Sequence, residues 1–283
     1  MVNVAIAGGT GDIGKTLVDV FAGQAKHQAI VLSRKEHQVH TVISAFGITV
    51  TSLATSQMNL IRAAEASAVT KRFIPSSFSM AYPEDGPSIL PPLQSYFDSL
   101  AALEGTNLEW AVVNNGTFLD YYAPPTLKTH YIHRTVVVDI PNAAAGIPGT
   151  GDEPMTFTYT FHIAHFTVAA LDLPSWPRTL RIIGETLTYN EFVKLAEEAR
   201  GVKFDVKYDD LEKLKRSEIT ELPGHHNYKK YPKYVLLPFL SIFQRWMAEG
   251  LGHIPREGSL NEMFPDIKPL TVRALLDQYW KTS

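Results

Sequence analysis

The chain has 283 residues, 45% hydrophobic and 19% charged, a balance that supports a packed core in one large α/β domain or in two lobes and excludes a disordered chain. A net charge of −3 leaves no global basic field for a polyanion, so no nucleic-acid partner is expected, and the absence of cysteine excludes disulfides, thiolate metal sites and a cysteine nucleophile. The longest apolar run, Tyr234 to Phe243, is broken by Pro238 and Ser241 and falls short of the roughly 20 residues that cross a bilayer, so a soluble, cytoplasmic protein without a membrane partner is expected.

Val2 to Ala7 reads as a buried first strand. A helix is predicted from Asp12 to Phe21, where Ile13, Leu17, Val20 and Phe21 recur at i, i+4, i+7 and i+8. Ile30 to Ser33 is the next strand, and the apolar run Thr41 to Phe46 ends at Gly47. Gln57 to Ala68 has helical spacing through Leu60, Ile61, Ala64 and Ala68, followed by a strand Lys71 to Pro75, a helix Leu93 to Glu104 and a strand Leu108 to Asn114. Short strands alternating with amphipathic helices predict a parallel sheet with right-handed crossovers.

After Gly116 the texture changes. Prolines and glycines crowd Pro141 to Pro154; His162 to Leu171 then reads as a helix and Thr179 to Ile183 as a strand. Thr188 and Glu191 form a capping-box sequence, with Leu187 as a hydrophobic staple and Gly201 as the stop. Lys203 to Tyr208 alternates as a strand, and helices follow near Tyr234 to Glu249 and Thr271 to Trp280. The expected organisation is a dinucleotide-binding domain over 1–118, completed by about 156–185, with a smaller substrate lobe formed by 119–155 and 186–283.

The segment Ala7 to Gly14 satisfies G-x-G-x-x-G through Gly9, Gly11 and Gly14, and a three-spaced set through Gly8, Gly11 and Gly14. Placed directly after a predicted strand and before an amphipathic helix, it matches the context of a dinucleotide phosphate turn. Gly8, Thr10, Gly11, Asp12, Ile13 and Gly14 are the phosphate-side candidates, because the helix start offers amide groups and a positive dipole end. An ordinary glycine-rich loop is the competing reading. About 20 residues beyond the last glycine, where an acidic residue would favour NAD, stand Arg34 and Lys35. A guanidinium suits a 2′-phosphate, so NADP(H) is the expected cofactor; a solvated loop is the alternative. Phe46, Pro75 and Asn115, at the carboxyl ends of later strands, complete the candidate cofactor set.

The glycine turn, the run Gln57-Met58-Asn59-Leu60-Ile61-Arg62-Ala63-Ala64 and the strand exit Arg72-Phe73-Ile74-Pro75-Ser76 resemble the NmrA-like and isoflavone-reductase-like branch of atypical short-chain dehydrogenases. Asn115 to Asp120, Ala164 to Phe166, Leu171 to Pro174 and Gly184 to Thr188 extend the likeness, which is greatest to fungal members. It implies a Rossmann-like α/β fold, NADPH, and a C-terminal lobe that takes a small aromatic or heterocyclic substrate. Three departures stand out. The usual third-strand region between Arg34 and Thr41 is shortened. No lysine occurs between Lys71 and Lys128, and the resemblance puts Tyr96 at the family's lysine position. Ser76-Ser77-Phe78-Ser79 replaces the family's Ser-Glu-Phe-Gly.

Tyr96 is therefore the candidate proton donor, against the alternative of a core tyrosine sharing a helix face with Leu93, Leu100 and Leu103. Ser77 is either a substrate hydrogen-bonder or a turn residue. His162 and His165 lie i, i+3 with no third ligand in sequence, which reads as structural or pocket histidines and no metal. The stretch His225 to Tyr234, basic and aromatic, reads as a loop before a helix rather than a nucleic-acid stripe. Three functions are weighed: NADPH-dependent reduction of a conjugated or imine-like bond in a small secondary metabolite, a redox-neutral isomerisation or cyclisation on the same fold, and a non-catalytic dinucleotide sensor. Aromatic residues around Phe118, Tyr121 and Tyr122 would favour either enzyme.

Overall fold

A computed structural model describes residues 1–31, 38–47, 51–131, 134–227 and 232–281. In chain order the first elements are β1 (Asn3–Ala7), α1 (Asp12–Ala22), β2 (Gln28–Val31), β3 (Thr41–Ser44), a π-helix (Thr51–Gln57) continuing into α2 (Met58–Ala66), β4 (Arg72–Ile74), α3 (Leu93–Glu104), β5 (Glu109–Trp110) and β6 (Val112–Asn114). They are followed by β7 (Thr117–Phe118), β8 (Val138–Asp139), β9 (Ala144–Pro148), β10 (Met155–Thr158), α4 (Thr160–Ala170), β11 (Thr179–Arg181) and β12 (Glu185–Leu187). The last are α5 (Tyr189–Arg200), β13 (Asp205–Asp209), α6 (Leu211–Lys215), α7 (Lys233–Ala248), α8 (Leu260–Met263) and α9 (Val272–Tyr279).

The chain divides into two compact units. The first holds Met1–Asn114, Thr160–Ile182 and Pro255–Ile267; the second holds Asn115–Tyr159, Ile183–Ile254 and Lys268–Ser283.

In the first unit a parallel sheet runs in the order β2-β1-β3-β4-β5. Successive side chains of a strand point to opposite faces. Ala5, Val42 and Phe73 pack with Ile61 and Ala64 of α2 and Leu103 of α3, while their neighbours Val4, Ile6, Ile43 and Ile74 are equally buried. Both faces are therefore covered, as a doubly wound parallel sheet requires, and α1 packs against α4. The strand order accounts for the shortened segment after β2. Both β2 and β3 pair with β1, so among the described residues β2 is the sheet's edge and no strand lies outside it.

The single strand predicted over Leu108 to Asn114 is two: β5 pairs with β4, and after Ala111 the chain turns to new partners, β6 pairing with β11. Arg72 ties this region together. Its guanidinium meets Glu109 at 2.6 Å, donates to the carbonyls of Leu171, Leu173 and Pro174, and lies 4.8 Å from the Trp176 ring centre. Glu109 in turn accepts from the Trp176 amide at 2.6 Å. Replacing Arg72 with leucine strands three carbonyls and a carboxylate; with Glu109 33% exposed, a loss of about 3 kcal/mol is expected in denaturant unfolding. An unchanged unfolding midpoint would show that this clasp stabilises nothing.

The second unit holds two three-stranded sheets, β12-β10-β7 and β13-β9-β8. Strand β9 occupies the middle of the Pro- and Gly-rich stretch that the sequence marks only as a change in texture. The capping box forms as predicted: the Glu191 amide donates to Thr188 Oγ1 at 3.1 Å, the Thr188 amide donates to Glu191 Oε2 at 2.8 Å, and Gly201 ends α5 at φ 65°. Tyr122, Phe157, Tyr189 and Phe192 form a fully buried aromatic core. Tyr122 is thus a core residue rather than pocket lining. Among the described residues no helix is long and apolar enough to cross a membrane.

Candidate cofactor site

The three glycines of the turn differ in what they are for. Gly8 sits at φ 80°, and a Cβ there would lie 2.7 Å from the Ala45 carbonyl oxygen, so the turn can pass β3 only without a side chain. At Gly14 a Cβ would lie 2.0 Å from the Gly8 oxygen; here glycine lets α1 start against the turn. Gly11 has no such need. Its backbone is extended, at φ −83° and ψ 178°, and the atom nearest to an added Cβ is 3.4 Å away, an ordinary contact. Among the described residues a Cβ at Gly11 makes only ordinary contacts, with the Gly8 and Ala45 carbonyl oxygens.

Gly11 is the N-cap of α1 and supplies no side-chain acceptor to the first-turn amides, while its own amide donates to Gly8 O at 2.9 Å. An uncapped helix start with a positive dipole end fits a phosphate. Thr10 and Gly11 are exposed, Asp12 is half-buried, and Ile13 and Gly14 are buried. Arg34 and Lys35 lie outside the described residues.

The neighbouring strand exits are bound to one another. Ser76 Oγ donates to Phe46 O at 2.5 Å, and the Ser76 amide donates to Gln57 Oε1 at 2.8 Å. Phe46 is half-buried and its ring edge borders Gly8, while Pro75 is buried. Ser77 takes the turn-residue role: its hydroxyl donates to Pro75 O at 3.2 Å and accepts from the Val113 amide at 2.9 Å, so its one proton is committed to the backbone. Asn115 belongs to the second unit, where its fully buried side chain donates to Gly116 O at 3.0 Å and its own carbonyl accepts from Thr158 at 2.8 Å.

Tyr96 lies on the buried face of α3 with Leu93, Ser99 and Leu103. Its ring meets Tyr82 and Phe97 edge-on, each with centroids 5.2 Å apart. Burial pushes its phenol up to about 12. Among the described residues no group accepts from or donates to its hydroxyl, which departs from a core tyrosine tied to a carbonyl. His162 and His165 of α4 stand with ring centres 6.4 Å apart, and burial, then His165, lowers His162 to about 4, so the pair is uncharged at neutral pH. Among the described residues no three metal-ligating side chains gather. In the second unit Phe118, Tyr121 and Tyr131 form a half-buried aromatic triad with centroid separations of 4.8–5.9 Å.

In the sequence Gln57 stands only as a helix start and Ser76 only as part of a motif. The signal was available for Gln57: it stands four residues before Ile61 and seven before Ala64, a polar residue on an apolar helix face.

No family model matches the chain. The oxidoreductase BOA1 of Botryotinia fuckeliana is 32% identical, with 95% of this chain and 96% of the relative covered. The oxidoreductase swnN of Metarhizium robertsii is 29% identical over 336 aligned positions, covering 99% and 98%, so that relative carries segments this shorter chain lacks. Phenylcoumaran benzylic ether reductase IRL1 of Ginkgo biloba is 26% identical, covering 89% and 78%. Among solved structures, the leucoanthocyanidin reductase–NADPH complex from Vitis vinifera superposes with a TM-score of 0.70 at 17% identity, 98% of each chain being covered. AtPrR2 with NADP+ and (+)pinoresinol gives the same score, identity and coverage; at this identity the likeness is one of fold. The glycine turn on a doubly wound parallel sheet, together with a full-length relative at 32% identity, establishes that the chain belongs to the isoflavone-reductase-like, NmrA-like family of NAD(P)-binding oxidoreductases.

Proposed function

We propose that this protein is an NADPH-dependent reductase that delivers hydride to a conjugated or imine-like bond of a small aromatic or heterocyclic metabolite. The observation that carries the reading is the start of α1, where Gly11 is exposed and gives the helix no side-chain cap, directly behind a turn that passes β3 only because Gly8 has no side chain. Residues Gly8 to Gly14 would hold the pyrophosphate, and the bound cofactor supplies the hydride. Structural neighbours solved with NADPH or NADP+ support the cofactor, and one bound to pinoresinol supports an aromatic substrate. The aromatic triad Phe118, Tyr121 and Tyr131 offers flat apolar surface of the kind such substrates stack on, which favours an enzyme over a sensor.

Fluorescence titration tests the cofactor assignment. NADPH is expected to bind more tightly than NADH, because Arg34 and Lys35 stand where an acidic ribose ligand would otherwise be, and Arg34→Ala should erase the difference. Equal affinities in the unmutated protein would overturn the NADP(H) preference. A redox-neutral reaction is the second reading, favoured by the absence of any lysine between Lys71 and Lys128.

A further inference from the structure

We propose that Gln57 is a positioning residue for the nicotinamide half of the dinucleotide, acting through Ser76; the inference rests on the NADP(H) reading above. Gln57 closes the seven-residue π-helix Thr51–Gln57, a wound form that is rare and is found mostly at functional sites. Its side chain is fully buried. Oε1 accepts from the Ser76 amide at 2.8 Å across 19 residues of chain, while Nε2 is buried with no hydrogen-bond partner among the described residues.

A leucine or methionine would fill this place without burying an unpaired amide, so Gln57 works against stability at one end. What it holds at the other end is a strand exit. From Gln57 the contacts run to the Ser76 amide, from Ser76 Oγ to the Phe46 carbonyl, and from Ala45 and Phe46 to the face of Gly8 that has no room for a side chain. The exits of β1, β3 and β4 are thereby set at fixed spacing along the carboxyl edge of the sheet.

The strand order says which half of a dinucleotide lies there. The pyrophosphate turn follows β1, and the ribose ligand of a dinucleotide site follows β2. With β2 on one side of β1 and β3 and β4 on the other, the adenosine half falls over β2 and the nicotinamide half over the Phe46 and Ser76 exits. Gln57 thus acts on one half of the cofactor alone.

The test uses the purified full chain and two ligands, NADPH and 2′-phospho-ADP-ribose, the latter lacking the nicotinamide, with Kd measured by calorimetry. Gln57→Leu is expected to weaken NADPH about tenfold and 2′-phospho-ADP-ribose by less than about twofold. Gln57→Glu keeps an acceptor for the Ser76 amide and should restore NADPH to within about threefold of the unmutated protein. Should the leucine variant not fold, Gln57→Met repeats the measurement with an unbranched side chain of similar length. Unchanged NADPH affinity in the apolar variant, equal loss of both ligands, or a glutamate variant as weak as leucine each overturns the positioning role. Failure of the unmutated protein to bind either ligand is a different result and overturns the NADP(H) reading itself.

Discussion

A Gly11→Val variant is expected to lose NADPH binding by at least about a hundredfold while its far-UV circular dichroism and melting temperature stay close to those of the unmutated protein. Both halves of that expectation follow from the geometry of Gly11. At φ −83° and ψ 178° the backbone of residue 11 is in a region valine adopts freely, and among the described residues the nearest atom to an added Cβ is 3.4 Å away, so neither backbone strain nor a Cβ clash is expected to unfold the variant. The isopropyl group instead occupies the approach to the start of α1, where the pyrophosphate would come within reach of the helix amides. Gly14→Ala makes the contrast. Its Cβ would lie 2.0 Å from the Gly8 oxygen, so that variant should lose the turn's structure and binding together. Wild-type affinity in the valine variant would mean that the turn is structural and the cofactor, if any, binds elsewhere.

Local chemistry carried most of the fold into the sequence. The helix α5 was legible at both ends because a capping box and a left-handed glycine are decided by neighbours three or four residues apart. The strands of the first unit were legible because both faces are buried and each reads as an apolar run. What failed was long-range. Nothing between Leu108 and Asn114 announces that the chain changes partners at Ala111, since that is decided by β4 on one side and β11 on the other. Strand β9 was hidden because its alanines, glycine and proline have little strand preference, and its place is fixed by pairing with β13 and β8.

The site divides along the same line. The glycine turn lies in one stretch of chain and was legible there, whereas the clasp from Gln57 to Ser76 to Phe46 joins residues up to 30 apart in sequence and came only with the fold. Tyr122 looked like its neighbours Phe118 and Tyr121 in sequence. Its ring turns into the core against Phe157 and Phe192, and its hydroxyl meets that of Tyr189 at 3.3 Å. Ser77 was ambiguous for a related reason. A hydroxyl that bridges Pro75 to Val113 is indistinguishable in sequence from one that awaits a substrate.

Tyr96→Phe is expected to lower turnover about a hundredfold with no loss of stability and no change in NADPH affinity, and this separates a reductase from its redox-neutral rival. The hydroxyl makes no hydrogen bond among the described residues, so removing it sacrifices none, and the ring keeps its edge contacts with Tyr82 and Phe97. Any kinetic effect then reports on chemistry. Burial pushes the phenol up to about 12, so Tyr96 stays protonated between about pH 6 and about pH 9 and is expected to contribute no pH-dependent limb in that window. A reductase needs such a donor once hydride has created an enolate or amide anion, whereas deprotonation of a substrate would ask Tyr96 to hold a charge that its surroundings disfavour. Product formation should therefore be followed with NADPH, with NADP+ and with neither. Loss of turnover that leaves the melting temperature intact, in a reaction that consumes one NADPH per product, is the expected result. Full activity in the phenylalanine variant removes Tyr96 from the chemistry, and product formed without net oxidation of NADPH replaces the reductase with an isomerase or cyclase.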